Sequence, residues 1–323
     1  MTKLRLNLLL VLALVLTVPL SLLAGRVWID PFHADTHNAM LILVQLRLPR
    51  AVLALTLGAG LGVTGAAMQA YLRNPLADPG LFGIAPGAAL GAVLSFWTGY
   101  AASVWLLPVF ALIGASGAML LLALIAGRGG GIALFTLAGL MVSSLAGALV
   151  SLAISLTPSP FAMSEIVTWM MGALADRSWR EVGIAMPFTV GGIAVMWMAR
   201  RSLDALTLGE AAARSLGVNP IVLQVQMILG VGLVIGSGVA VAGIIGFVGL
   251  MVPHLVRPLT DRRPSSLLMP SGLAGALLLL VADCLCRVLP LASGELRLGI
   301  ALSLLGTPFF LVLLLRMRRG LSW

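Results

Sequence analysis

Charge is scarce in this chain. Of its 323 residues only 10% are Asp, Glu, Lys or Arg, whereas 60% are hydrophobic and the mean hydropathy is +1.10. Soluble domains carry roughly 25% charged residues. No soluble fold of this length hides so much apolar surface, so the expected solvent is lipid. Period-two alternation is also missing from the apolar runs, which favours helices over a membrane barrel. Lysine occurs once, as Lys3. That excludes a Gly-Lys-Ser/Thr phosphate loop and the nucleotide site it would build. The histidines, His33, His37 and His254, form no HExxH pattern. His33 and His37 have the spacing to share a helical face and hold a metal, but a solvated or interfacial role suffices, and no metal site is assigned. Cys284 and Cys286 point in different directions on a helix, which excludes a disulfide between them and leaves a packing role. No catalytic constellation is present, which argues against a membrane enzyme.

What the chain has in abundance is uninterrupted apolar sequence. The charge-free stretches 6–25, 51–72, 182–199, 264–282 and 298–315 are each about one span long, since a helix needs roughly 20 residues to cross. Residues 79–127 and 215–256 are long enough for two spans each, and 129–164 for one plus an interfacial tail. The expectation is an all-α polytopic membrane protein of ten helices, one transmembrane domain over 1–323, with both termini on the same side. The segment Lys3–Ala24 has the basic start and apolar core of a signal peptide but no clear small-x-small cleavage site, and is read as a retained first helix.

Orientation follows from the nineteen arginines and Lys3. With the termini in the cytoplasm, thirteen basic residues lie inside and seven outside: Arg26, Arg47, Arg50, Arg177, Arg180, Arg287 and Arg297. The positive-inside rule supports this threading, although seven outward arginines ask for a reason. The run Gly58, Gly60, Gly62, Gly65, Ala66 and Ala67 strips the second span of bulk, and Gly83, Gly87 and Gly91, then Gly139, Ser143 and Gly147, then Gly232 and Gly236, make small faces on which backbones approach closely. Pro49 is expected at the first turn of the second span. Pro158 and Pro160 end the fifth, and a short helix near the outer mouth is expected within Thr157–Gly183. Met68, Met141, Met170 and Met171 read as packing residues.

Ion-driven carriers place ionisable side chains mid-membrane to bind the driving ion. Here Asp283 is the single candidate, and it stands four residues before Arg287, as a structural pair on one helix face. Energy for transport is therefore expected from another polypeptide. A place for that partner to act is the inner segment 202–220. Thr207 and Glu210 have the spacing of a capping box, Glu210 and Arg214 that of an i,i+4 pair, and Gly217 suits a helix end. A helix of about nine residues, roughly 13 Å long, is expected between two spans.

These pieces, in order, resemble the iron-siderophore, haem and vitamin B12 permease family of ATP-binding-cassette (ABC) importers. The resemblance runs from about residue 45 to 316. It is carried by Arg47-Leu48-Pro49-Arg50, Gly65-Ala66-Ala67-Met68-Gln69 and Arg73-Asn74-Pro75-Leu76-Ala77-Asp78-Pro79-Gly80. Later come Gly209-Glu210 with Ala213-Arg214 and Leu216-Gly217, then Gly246-Phe247-Val248-Gly249-Leu250 with Val252-Pro253-His254, and Gly306-Thr307-Pro308-Phe309-Phe310. The resemblance implies a vitamin B12 permease-like fold of ten helices in a bacterial inner membrane. It further implies a second copy of the chain, two ATPase subunits that hold ATP and magnesium, and a periplasmic substrate-binding protein. This chain itself carries no cofactor, and no nucleic-acid partner is expected. The family's coupling helix matches about 207–217, with Leu208, Gly209, Glu210, Ala211, Ala213, Arg214, Leu216 and Gly217 facing the ATPase. The family's binding-protein docking arginines match Arg47, Arg50 and Arg287. A ferric siderophore is the first cargo implied, with haem or cobalamin next; a secondary ion-coupled carrier is the alternative function. The pathway is expected to be lined by small and apolar side chains of helices such as the second, third and fifth. One departure is Arg297, where the family usually has proline after Glu295-Leu296.

Overall fold

The computed structural model describes residues 3–25, 36–100, 103, 105–127, 131–157, 159–289 and 294–318, without the side chains at 36–38, 81 and 317. The His33–His37 pair falls outside the described side chains, as does Arg26. Among the described residues, eight helices are long and apolar enough to cross a membrane, and two shorter apolar ones accompany them. The ten spans inferred from the charge-free stretches are thus all helical. In chain order the helices are α1 (Lys3–Leu23), α2 (Thr36–Leu41), α3 (Leu48–Tyr71), α4 (Ile84–Trp97), α5 (Leu106–Ala126), α6 (Gly131–Ser155) and α7 (Pro160–Met170). They continue with α8 (Trp179–Met198), α9 (Arg200–Leu206), α10 (Glu210–Ser215), α11 (Pro220–Ala242), α12 (Val248–Val256), α13 (Pro264–Val288) and α14 (Leu298–Arg318). The short outer helix is α7, opened by Pro160 with Ser159 as its N-cap.

The centre post is α3. Every residue from Leu61 to Gln69 is buried, because α8, α11, α12 and α13 surround it. Lipid gives helices no hydrophobic reason to associate, so close backbone approach has to supply the attraction. A methyl group added at Gly62 would lie 2.0 Å from the Ser271 carbonyl of α13, and one at Gly65 only 1.9 Å from the Gly249 carbonyl of α12. Gly65→Val is therefore expected to force α3 and α12 apart, at a cost of about 3 kcal/mol. A lowered thermal midpoint in detergent checks this; an unchanged midpoint would count against the crossing.

The second span does not start at Pro49. The helix runs without interruption from Ala39 to Tyr71, and residues Ile42–Arg47 form a π turn. There the Leu48 N–H bonds the Leu43 carbonyl, one residue further back than in an α-helix. This leaves the Val44 carbonyl open, and the Trp179 indole donates to it at 2.9 Å. The missing N–H of Pro49 is absorbed next to a π turn, a usual place for such a defect. The outer loop before the second span is correspondingly shorter than the sequence suggested.

Two spans are incomplete as helices. At 1.5 Å per residue α4 is about 21 Å long, short of the roughly 30 Å hydrocarbon layer. Each of α4 and α12 is preceded by irregular backbone: the 3₁₀ turn Pro79–Phe82 before α4, and Gly243–Phe247 before α12. Asp78 joins the two segments, accepting the Gly80 N–H at 2.8 Å and the backbone N–H of Phe247. Such backbone is tolerated in a membrane protein where protein or a cavity surrounds it. A cavity of about 160 Å³ lies on one side of Gly243–Phe247, beside Asp78 and Leu57. An open cleft of about 690 Å³ lies on the other, bordered by Met170, Met171, Phe247, Gly299, Thr307 and Pro308.

One of the helices expected to line the pathway is enclosed. The second span, α3, is enclosed within the subunit and has no open face along Leu61–Gln69. The open apolar wall comes from α14, the end of α7 and the entry to α12. Met68 is fully buried in the core, whereas Met170 and Met171 border the cleft.

The inner lever and the outer charge cluster

The inner site is built on α9 and α10. Leu203 and Leu206 are buried and seat α9 against the spans. The Asp204 carboxylate accepts the Ser265 N–H at 2.8 Å, tying α9 to the first turn of α13. Gly209, at φ +104°, turns the chain into α10, and Gly217, at φ +85°, turns it out. The Val218 N–H reaches the Ala213 carbonyl at 3.0 Å and the Gly217 N–H the Arg214 carbonyl at 2.9 Å. This is a Schellman-type end, in which glycine takes the left-handed position.

Two expectations change here. The helix is six residues long, not nine. No capping box forms, because Thr207 donates instead to the Asp204 carbonyl at 2.7 Å and Gly209 is the N-cap. Glu210 is thereby released from Thr207 and faces α6. Its carboxylate accepts the Ile132 N–H at 3.2 Å, at the first turn of α6, while also lying 3.7 Å from Arg214. Next to it, Gln224 of α11 donates to the Gly127 carbonyl at the end of α5, at 3.1 Å. The α10 region thus grips both ends of the α5–α6 connection. Of the residues assigned to the lever, Ala213 is buried and anchors it; Leu208, Ala211, Arg214, Leu216 and Gly217 are exposed. Leu208 and Leu216 are 67% and 64% exposed, so two large apolar side chains flank a short helix and stand largely open among the described residues.

The outer site collects residues from α3, α13 and the start of α14. The expected Asp283–Arg287 pair is present, Nε to Oδ2 at 3.3 Å. Arg50 joins it: its Nε donates to both Asp283 oxygens at 3.0 Å, and its Nη2 lies 2.9 Å from Oδ1. The same Nη2 lies 2.8 Å from Glu295 Oε2. Arg47 donates to the Leu22 and Leu23 carbonyls at 2.8 and 2.7 Å, and Arg287 Nη1 to Ala24 at 3.4 Å. These arginines therefore complete the C-terminus of α1, where positive charge is favoured. The structure brings together Arg47, Arg50 and Arg287, the three positions the resemblance singled out, but points Arg50 and Arg287 into the chain. Arg50 and Arg287 thus share the carboxylates of Asp283 and Glu295, and the buried Nη2 of Arg287 has no hydrogen-bond acceptor among the described residues. Glu295 escaped the sequence reading as a member of this cluster. Its only signal was its place in the Glu295-Leu296 motif.

Further out, Arg177 lies in the loop between α7 and α8. Burial lowers its pKa, the charges of Glu181 and Asp176 oppose that shift, and Arg180 and Arg297 add to it. Arg297, the departure from the family pattern, therefore adds positive charge beside another arginine near the cleft. Among the described residues no group of three or more His, Cys, Asp or Glu side chains is placed to hold a metal ion.

Comparison with known proteins agrees with this architecture. The FecCD transport family model matches residues 7–316. The vitamin B12 import system permease protein BtuC of Yersinia enterocolitica is 37% identical over 318 residues, covering 96% of this chain and 92% of that protein. The ABC transporter permease protein YvrB of Bacillus subtilis is 37% identical over 297 residues, covering 90% of this chain and 82% of that one. A solved structure described as a metal-chelate-type ABC transporter in an inward-facing conformation superposes with a TM-score of 0.87 at 30% identity, covering 98% of this chain and all of that one. PsaBC from Streptococcus pneumoniae shares the fold more distantly, with a TM-score of 0.53 at 19% identity. With a family model spanning nearly the whole chain and ten apolar helices in the matching order, this protein belongs to the FecCD transport family and is a multi-pass permease of the ABC-importer type.

Proposed function

We propose that the chain is one half of a homodimeric permease for a metal chelate. In this reading two separate ATPase subunits dock from the cytoplasm, where both termini lie, and a periplasmic binding protein delivers cargo outside. The observation that carries it is α10: a short, glycine-bounded helix that offers Leu208 and Leu216 to a partner and holds α6 through Glu210. Movement of α10 by an ATPase would be passed to α5 and α6 without any further joint. At the other face, the arginine cluster of Arg47, Arg50 and Arg287, which the resemblance matches to docking positions, supports docking by a protein with surface carboxylates.

The resemblance puts a ferric siderophore first as cargo, and the name of the Yersinia relative puts cobalamin beside it. Among the described residues that border it, the apolar cleft has no His, Cys, Asp or Glu, so in this reading selection rests with the binding protein. Reconstitution tests both points. The full complex is expected to take up a radiolabelled chelate only with ATP, and paired assays with a ferric siderophore and cobalamin identify the cargo. The alternative, an ion-driven carrier, loses the candidate carboxylate the sequence offered, because Asp283 is already held by two arginines. Accumulation by the lone chain on a proton or sodium gradient would overturn the importer reading.

A further inference from the structure

We infer that Phe247 is a swinging side chain of the cleft wall, and that the cavity of about 160 Å³ behind it is the space its ring enters when a bulky cargo passes. The inference rests on the permease reading above. Among the described residues, Ile244, Gly246 and Phe247 border both that cavity and the open cleft of about 690 Å³. They are the partition between the two spaces. Ile244 packs against the core, and a methyl added at Gly172 or Gly299 would come within 2.3 or 2.8 Å of its carbonyl. Gly246 has no side chain to move. That leaves Phe247, which is only partly buried and rests on Gly306 of α14, where an added methyl would lie 2.3 Å from its Cγ. The glycine gives the ring a flat seat without a side chain to hold it.

The backbone at Phe247 stays put while the ring moves. Its N–H donates to Asp78, and its carbonyl accepts the Met251 N–H at 2.8 Å. Its φ of +67° is left-handed, which a bulky residue adopts only where the surroundings impose it, as at clamps and switch segments. Rotation of the side chain about χ1 is the motion left to it. The space behind fits the ring, since an apolar cavity of about 150 Å³ takes a benzene molecule. Leu57, Leu61, Ala85, Val234 and Val239 wall this one, and Asp78 at its edge is turned onto the backbone N–H groups of Gly80 and Phe247. The ring exchanges an apolar seat on Gly306 for apolar walls, so the swing costs little hydrophobic free energy.

The test fills the cavity from its far side. A methyl added at Gly238 of α11 meets only Leu57 Cδ2, at 3.5 Å, an ordinary contact. The complete importer is assayed in liposomes with whichever of a ferric siderophore and cobalamin the natural complex takes up. Gly238→Leu is expected to keep the natural thermal midpoint while ATP-driven uptake falls roughly tenfold, the size of an overpacking penalty that falls on the swung state alone. In a Phe247→Ala background the same filling is expected to change uptake by less than about twofold, because no ring needs the space. Ala85→Val, which enters the cavity from α4, repeats the comparison should Gly238→Leu misfold. Fluorine NMR of a fluorinated phenylalanine at position 247 reads the ring directly, and its environment is expected to change with ATP. Equal losses with and without Phe247, no loss in either background, or a ring signal that ignores ATP would each overturn the inference and leave the permease reading standing. Failure of the natural complex to take up either chelate with ATP overturns that reading, and the role of Phe247 with it.

Discussion

Replacing Glu210 by lysine is expected to separate ATP hydrolysis from uptake in the reconstituted importer, with uptake falling roughly tenfold or more. The carboxylate has two partners, Arg214 at 3.7 Å and the Ile132 N–H at 3.2 Å. The first is a partly exposed pair of small energetic weight. The second is mechanical, because it is the side-chain hydrogen bond that joins α10 to α6. The first turn of α6 carries unpaired N–H groups and the positive end of the helix dipole, so a lysine there repels where the glutamate attracted. The ATPase subunits would still meet Leu208 and Leu216, and would turn over against a lever no longer attached to the spans. Arg214→Glu acts differently, since Arg214 is on the exposed side and its loss leaves the Ile132 bond in place. It is expected to weaken assembly with the ATPase more than to uncouple it. Parallel measurements of hydrolysis, uptake and co-purification distinguish the two. Uptake at the normal rate by the Glu210→Lys complex would remove α10 as the coupling element.

The second large effect is expected at Asp283. Asp283→Asn removes the one fully buried anion that faces both Arg50 and Arg287, whose side chains are 11% and 5% exposed. A buried pair broken on one side leaves an uncompensated charge, at a cost of about 3–5 kcal/mol. Arg50 would retain only the contact with Glu295, and Arg287 only the Ala24 carbonyl at 3.4 Å. The α1–α3–α13 corner is the expected point of failure. The readout is the thermal midpoint in detergent and the yield of folded dimer. A variant as stable as the natural chain would show that Asp283 is not the keystone of this corner. Asp283→Asn and Glu295→Gln thus make a contrast, since both remove one carboxylate from Arg50 and only the buried one is expected to unfold the protein.

Much of the architecture was legible without coordinates, for a physical reason. A helix that crosses lipid cannot carry unpaired charge, so the charge-free stretches mark spans directly. The ten-helix count needs no knowledge of packing. The Asp283–Arg287 pair was equally legible, because four residues on a helix fix two side chains on one face. Gly217 as a helix end was readable on the same local grounds. The start of the second span was not. Pro49 fits a first turn by local rules, but the π turn that lets the helix run through it is satisfied by Trp179, whose indole N–H donates to the freed Val44 carbonyl across 135 residues of sequence. The capping box failed similarly: Glu210 had an alternative partner at Ile132, invisible at a sequence separation of 78 residues.

Composition and local spacing by themselves determined that this protein lives in lipid, that it is helical, and where most of its spans lie. Tertiary structure decided which helix is enclosed and which lines the cleft, and that three arginines with outward assignments turn two of their number inward onto Asp283. The division follows from range. Exclusion of charge from hydrocarbon acts on each segment alone and is written in every stretch of sequence. An ion pair between α3 and α13 exists only once backbones crossing at Gly58 and Gly62 have brought those helices within reach.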